Sequence, residues 1–251
     1  MADIDDATER STTNWAKKVD RLTLGSAPAG AVNLNVEGRR LTGPLQGFGT
    51  MWQKTYRVRL PRDVVEPRAL IATWKERFPE FWPGGNRFYA PLTGIAPGEV
   101  ALLNLALPGR LTLSTGVMVL YADEESFTLM TPQGHMFAGW ITFSAVPAGD
   151  DGVMAQVQVL MRASDPIFEL GLMLGGHAQE DRFWQETLTR LAAAHGLASA
   201  SVQTTVICVD RKRQWSKWRN VWHSSAIRSS IYTLGAPVRL IRSRLSRSPG
   251  N

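Results

Sequence analysis

TLSTGVMVLYADEESFTLMTPQGHMFAGWITFSAVPAGDDGVMAQVQVLMRA, residues 112–163, carries the clearest fold signal in this chain. Within it, Thr112–Ala122, Ser126–Thr131, Met136–Ala145 and Met154–Ala163 read as strands. They are divided by Asp123-Glu124, by Pro132-Gln133-Gly134 and by Gly149-Asp150-Asp151-Gly152. Asp, Pro and Gly supply the backbone geometry of tight turns, so even spacing of such breaks predicts an antiparallel meander. Arg87–Leu92 and Glu99–Ala106 extend it upstream, broken at Pro97-Gly98 and Pro108-Gly109. Met136–Ala145 is apolar on both parities, so the side it turns inward stays open. A shift of one residue would exchange its inward and outward sets.

Working outward, Thr50–Leu60 reads as a strand because apolar and polar residues alternate from Tyr56 to Leu60, and Pro61 ends it. Val64, Leu70, Ile71, Trp74, Phe78 and Phe81 then keep to one helical face, closed by Pro83-Gly84-Gly85. Beyond the meander, Ser164-Asp165-Pro166 is a helix start with proline in the first turn. The helix runs over Ile167–Ala194, with Phe168, Leu172, Phe183, Trp184, Leu188 and Leu191 apolar and Gly196 as its cap. Gly175-Gly176 interrupts it. Each glycine costs about 1 kcal/mol against alanine, which predicts a kink or a short break.

Three regions follow from this order: an N-terminal extension over 1–46, a domain over 47–196, and a basic C-terminal extension over 197–251. In the first, Trp15, Val19 and Leu22 fit one helical face. In the last, Ser201–Val209 reads as another strand or an extended link, and helices are expected over Gln214–Leu234 and Pro237–Leu245, the former with Trp215, Trp218 and Trp222 on one face.

The order strand, helix, antiparallel strands, long helix is an α+β pattern. Together with Met136-Phe137-Ala138-Gly139-Trp140-Ile141-Thr142-Phe143 and Glu180-Asp181-Arg182-Phe183-Trp184-Gln185-Glu186-Thr187-Leu188, it resembles the START-like (SRPBCC, Bet v 1-like) helix-grip superfamily. The resemblance covers residues 48–196 and rests on fold-level cues, with no invariant motif. It implies a curved antiparallel sheet around a long C-terminal helix, with an internal cavity between them that holds a hydrophobic ligand. The extra segments at both ends depart from the plain pattern.

Composition sets limits on the rest. A chain of 251 residues, 44% hydrophobic and 20% charged, can bury a large core. No apolar run reaches the about 18 to 20 residues that span a bilayer, and the start, Met1-Ala2-Asp3-Ile4-Asp5-Asp6, is acidic, so a cytoplasmic location is expected. Cys208 is the single cysteine and lies in an apolar stretch, which reads as a buried thiol. His135, His177, His195 and His223 show no ligand spacing, so no metal and no cofactor is expected. From residue 210 onward there are ten lysines and arginines against Asp210 alone, whereas the remainder has 18 basic and 21 acidic residues. The high pI therefore belongs to the tail. Docking of the tail onto the acidic body is the plain reading, an anionic membrane surface the alternative. Nucleic acid is not expected as a partner, and monomer and homodimer stay open.

No nucleophile elbow or phosphate loop occurs, and aromatic residues are the informative group: nine tryptophans offer wide apolar contact and an N–H each. Candidates for contact with a ligand are Trp52, Trp74, Tyr121, His135, Trp140, Phe143, Met161, Phe168, Met173, His177 and Trp184. The leading functional reading is a binding or sequestering protein for an apolar, polycyclic small molecule, without catalysis. The resemblance implies further options. One is a self-resistance protein against enediyne antibiotics, with Gly116, Gly139 and Gly176 as hydrogen donors. Another is an aromatase/cyclase acting on a polyketide, for which His135, Tyr121 and Arg162 are the acid–base candidates. A third is a lipid-transfer or membrane-surface adaptor.

Overall fold

The computed structural model describes residues 12–25, 27–107, 111–149 and 152–234. The expected turns at Pro108-Gly109 and Asp150-Asp151 and the stretch Pro237–Leu245 lie outside them. Strand β1 (Met51–Pro61) leads to helix α1 (Pro67–Glu76) and a 3-10 turn (Phe78–Phe81). The meander follows as β2 (Arg87–Tyr89), β3 (Val100–Leu107), β4 (Leu111–Ala122), β5 (Ser126–Met130), β6 (Phe137–Pro147) and β7 (Gly152–Ala163). Helices α2 (Pro166–Gly171) and α3 (His177–Ala194) are joined by a π-turn over Leu172–Gly176. Strand β8 (Val202–Asp210), a 3-10 helix (Trp215–His223) and α4 (Ser225–Leu234) complete the order.

The eight strands form one antiparallel sheet in the order β2-β3-β4-β5-β6-β7-β1-β8. β1 closes the meander by pairing with β7, Tyr56 opposite Val157, and β8 takes its other edge, Thr204 opposite Tyr56. Register shifts at Met51/Trp52 and Val119/Tyr121 add local twist to a sheet that must bend around a helix. The result is the α+β helix-grip arrangement: sheet on one side, α1 and α3 on the other.

Strand parity assigns the two faces. Tyr56, Val58 and Leu60, Val117 and Val119, Phe127 and Leu129, Ile141, Phe143 and Ala145, and the odd residues from Val153 to Met161 share one core with Leu70, Ile71 and Trp74 of α1 and Leu188, Leu191 and Ala192 of α3. The parity of β6 is thereby fixed, with Ile141, Phe143 and Ala145 inward. The opposite face of β3 and β4 makes a second, smaller core, where Leu102 and Met118 meet Leu22 and Val36 of the N-terminal segment. Gly116 makes that contact possible, since a Cβ there would stand 2.5 Å from Ala101 O and 2.7 Å from a Val36 methyl carbon.

Several expectations change in the structure. Trp15–Leu22 is not helical: Trp15 bridges to Tyr121 and the Ala16 N–H donates to Leu120 O at 2.8 Å, so pairing with β4 overrides the helical spacing. The stretch 214–234 splits into a 3-10 helix and α4 around Ser224. Cys208 is half-buried, because β8 is an edge strand. The break at Gly175 is present as expected. Asp165 caps α2 by accepting from the Ile167 and Phe168 N–H groups at 2.8 and 3.1 Å, and the helical path then swings at Gly175, whose φ of 115° suits glycine. Among the described residues no helix is long and apolar enough to cross a membrane.

Candidate functional site

Alternation along β1 places Trp52, Lys54, Tyr56, Val58 and Leu60 on the face toward the long helix. Helical spacing in α3 places His177, Glu180, Asp181, Trp184, Leu188 and Leu191 on the face toward the sheet. Where the two faces meet, a lysine stands among apolar side chains. Lys54 is 1% exposed. Its Nζ lies 2.9 Å from Glu180 Oε2 and 2.8 Å from Asp181 Oδ1, and it donates to His177 O at 3.3 Å. The Tyr56 hydroxyl, fully buried, donates to the same Asp181 Oδ1 at 2.7 Å. The Trp52 ring sits edge-on to His177 with 5.0 Å between centroids.

One cation faces two carboxylates here, Glu180 buried and Asp181 partly exposed. The Glu180 carboxyl is pushed up to about 7 by loss of water, with Lys54 pulling the other way. Burial and then the Glu180 charge drive the Tyr56 phenol far above its ordinary range. Burial and then Lys54 push the His177 imidazole down. Glu180 Oε2 meets Lys54 at 2.9 Å as an ion pair, and Oε1 has no hydrogen-bond partner among the described residues. A buried ion pair costs several kcal/mol of desolvation per charge, which an apolar pair of the same volume would avoid. Such a group beside an apolar core is a functional-site candidate on physical grounds. It can offer an acceptor at Glu180 Oε1, and it can hold a proton near neutral pH.

The surroundings are aromatic. Trp184 lies 5.7 Å from Phe143, which stacks on Phe127 at 4.6 Å, and Trp74 meets Phe143 edge-on at 5.3 Å. Phe183 meets Trp82 at 5.1 Å. Between sheet and helix, where the cavity is expected, these rings pack against one another. Two shallow grooves lie elsewhere. One of about 200 Å³ is lined by Arg40, Gln46, Gln133, Lys217 and Asn220, and one of about 240 Å³ by Val32, Asn104, Ser114, Ser229 and Tyr232.

The candidates from sequence fall into distinct places. Trp74, Phe143 and Met161 lie inside the main core, with Trp52 and Trp184 packed against it and His177 beside Trp52. Phe168 is half-buried on α2 and Met173 is exposed. Trp140 lies on the opposite face of β6, where its ring is 3.6 Å from the position a Cβ at Gly43 would take. Tyr121 packs against Trp15 at 4.7 Å and hydrogen-bonds Asp123. His135 is buried in the loop before β6. Its Nδ1 accepts from the Phe137 N–H at 3.0 Å, Ser164 bonds its carbonyl, and burial pushes its imidazole down to about 4.

Arg162 is buried and ties three strands of chain together: it donates to Gly49 O at 2.5 Å and Lys212 O at 2.8 Å and pairs with Asp210. His135, Tyr121 and Arg162 are thus not brought together into one acid–base set. Of the glycines, Gly116 faces Val36 on the outer side, Gly139 lies against the backbone of Leu160, and Gly176 sits in the π-turn. Lys54, Tyr56, Glu180 and Asp181 have no place among the sequence candidates, although the signal was there. Extending the parity of Tyr56–Leu60 back to Trp52 puts a lysine on an apolar face, and Glu180 follows from Trp184 and Leu188 at helical spacing. No group of metal-ligating side chains occurs among the described residues.

No protein family and no curated protein matches this sequence. Solved structures with a similar outline include a protein from Arthrobacter aurescens (10% identity, TM-score 0.41, covering 57% of this chain and 86% of that one). A START superfamily protein from Mycobacterium smegmatis is similar at 21% identity and TM-score 0.37, covering 58% of this chain and 96% of its own. The di-domain ARO/CYC StfQ from the steffimycin biosynthetic pathway matches at 12% identity and TM-score 0.39, over 56% of this chain and 50% of that one.

Proposed function

We propose that this protein binds an apolar, polycyclic small molecule between the sheet and the long helix, with Lys54 and Glu180 as its polar anchor. The observation that carries the reading is the buried Lys54–Glu180 pair with an unpartnered Glu180 Oε1, beside a core that holds Trp74 and Phe143 and against which Trp52 and Trp184 pack. Aromatic rings give a flat compound broad contact, and a single buried acceptor orients one hydroxyl or N–H.

A second reading, an enzyme that moves protons on such a compound in the manner of an aromatase/cyclase, is favoured by one observation. A carboxyl near 7 beside an ammonium group is suited to take a proton and return it. The test of binding is tryptophan fluorescence across a panel of polycyclic phenols and ketones. The wild-type chain is quenched saturably by at least one, and Lys54→Met/Glu180→Gln, which removes both charges at similar volume, weakens that binding at least tenfold. Equal affinity in a folded double variant removes the anchor and the reading with it.

A further inference from the structure

Residues Trp215–His223 wind as a 3-10 helix, three residues per turn, so positions 214, 217, 220 and 223 share one face. That face is turned to the body. The Gln214 N–H donates to Phe48 O at 2.7 Å, Asn220 Nδ2 donates to Gln46 O and Ser164 O at 2.8 and 2.7 Å, and His223 Nδ1 lies 3.2 Å from Arg39 Nη1. The remaining faces point to water, and they carry Trp215, Trp218 and Trp222, which are 70%, 47% and 73% exposed. Alongside runs α2 with its π-turn, linked through Arg213, whose Nε donates to Glu169 Oε1 at 2.8 Å and whose Nη2 reaches Met173 Sδ at 3.4 Å. There Leu170, Met173 and Leu174 are exposed as well, Leu174 at 78%. Two adjoining elements thus leave three indoles, of which Trp215 meets the Phe48 ring edge-on at 5.2 Å, and three long aliphatic side chains exposed to water.

Basic residues predominate beside this surface. Arg211, Lys212 and Arg219 flank it, Arg219 lying over the Trp218 ring at 5.7 Å, and the nearby acids are paired, Asp210 with Arg162 and the buried Glu169 with Arg213. Tryptophan tips, aliphatic side chains and a basic border are the composition of a protein face that rests in the headgroup layer of an anionic bilayer. A second copy of the chain would set like charges against each other, and residues 235–251 carry four more arginines and no acid. The groove next to Lys217 and Asn220 lies on the body-facing side, so the exposed rings do not line a pocket for a peptide.

We infer that α2, its π-turn and the 3-10 helix form a docking face for an anionic lipid bilayer, into which Leu174 and Trp222 insert. The face is independent of the interior site. The test uses the full chain with vesicles of phosphatidylcholine alone or with about one third phosphatidylserine, at low and high salt. The expected result is co-sedimentation with the anionic vesicles, weakened by salt. Leu174→Ser/Trp222→Ser lowers that partition at least tenfold and leaves thermal unfolding and ligand quenching unchanged. Three results overturn the inference: no binding of the wild-type chain to anionic vesicles, binding that the double variant retains in full, or a wild-type dimer that the double variant converts to monomer without any vesicle binding.

Discussion

Glu180→Gln isolates the electrostatic cost of the buried site. The substitution keeps the shape of the side chain, leaves Lys54 paired with Asp181 at 2.8 Å, and removes a group that can ionise. In the unfolded chain Glu180 loses its proton near 4.5, and in the folded chain it holds the proton up to about 7. Between those values the native state binds more protons than the unfolded state, so this group's contribution is fully present below pH 4.5 and is lost as pH rises through 7. Each pKa unit corresponds to about 1.4 kcal/mol, and the span therefore sums to about 3 kcal/mol. Glutamine has no such dependence. Urea unfolding of both proteins from pH 4.5 to 7.5 should show the variant gaining on the wild type steadily, by about 3 kcal/mol at the upper end, with unchanged m-values. Two parallel pH profiles would refute the reasoning, because they would mean that Glu180 is ionised in the fold as readily as in water.

Arg162→Met should cost about 3 kcal/mol in a urea melt, since it strips the partners from Gly49 O and Lys212 O and leaves Asp210 without its cation. The same variant should still quench with ligand, because Arg162 serves the start of β1 and the end of β8 and not the interior; loss of ligand quenching in a folded Arg162→Met chain would contradict that assignment. Gly116→Ala drives a Cβ to within 2.5 Å of Ala101 O and should destabilise by about 1 to 3 kcal/mol, with earlier tryptic cleavage at Lys17 and Arg21 as the N-terminal segment lifts from the outer face.

The strands of the meander were legible because each is bounded by residues that make turns for local reasons: Pro97-Gly98, Asp123-Glu124 and Pro132-Gln133-Gly134 all fall between observed strands. The same holds for the break at Gly175, where a backbone conformation and not a contact is at stake. What failed was local periodicity without local stability. Trp15, Val19 and Leu22 have helical spacing, yet a helix of eight residues is marginal alone, and β4 offers Ala16 a backbone partner at Leu120 while Leu22 pairs with Gly38 and Arg39. Trp215, Trp218 and Trp222 fit an α-helical face, but the anchors at Gln214 and Asn220 wind the segment to three residues per turn and turn the rings outward. The site shows the sharper limit. Helical spacing alone aligns Glu180 with Trp184 and Leu188, and parity alone aligns Lys54 with Tyr56, but that these faces oppose one another is a property of the sheet closing β1 onto β7. Tryptophans stand out as ligand contacts by size, whereas the proposed polar anchor is a lysine whose meaning depends on distant chain.

The most direct test of the interior site is native mass spectrometry of the protein purified from its own host, beside the Lys54→Met/Glu180→Gln chain prepared in the same way. The expected result is a wild-type mass raised by one bound apolar compound, recovered after denaturation, and a folded double variant that carries little or none of it. A wild-type chain that is empty and unquenched by the whole panel, or a double variant that retains the compound in full, would contradict it.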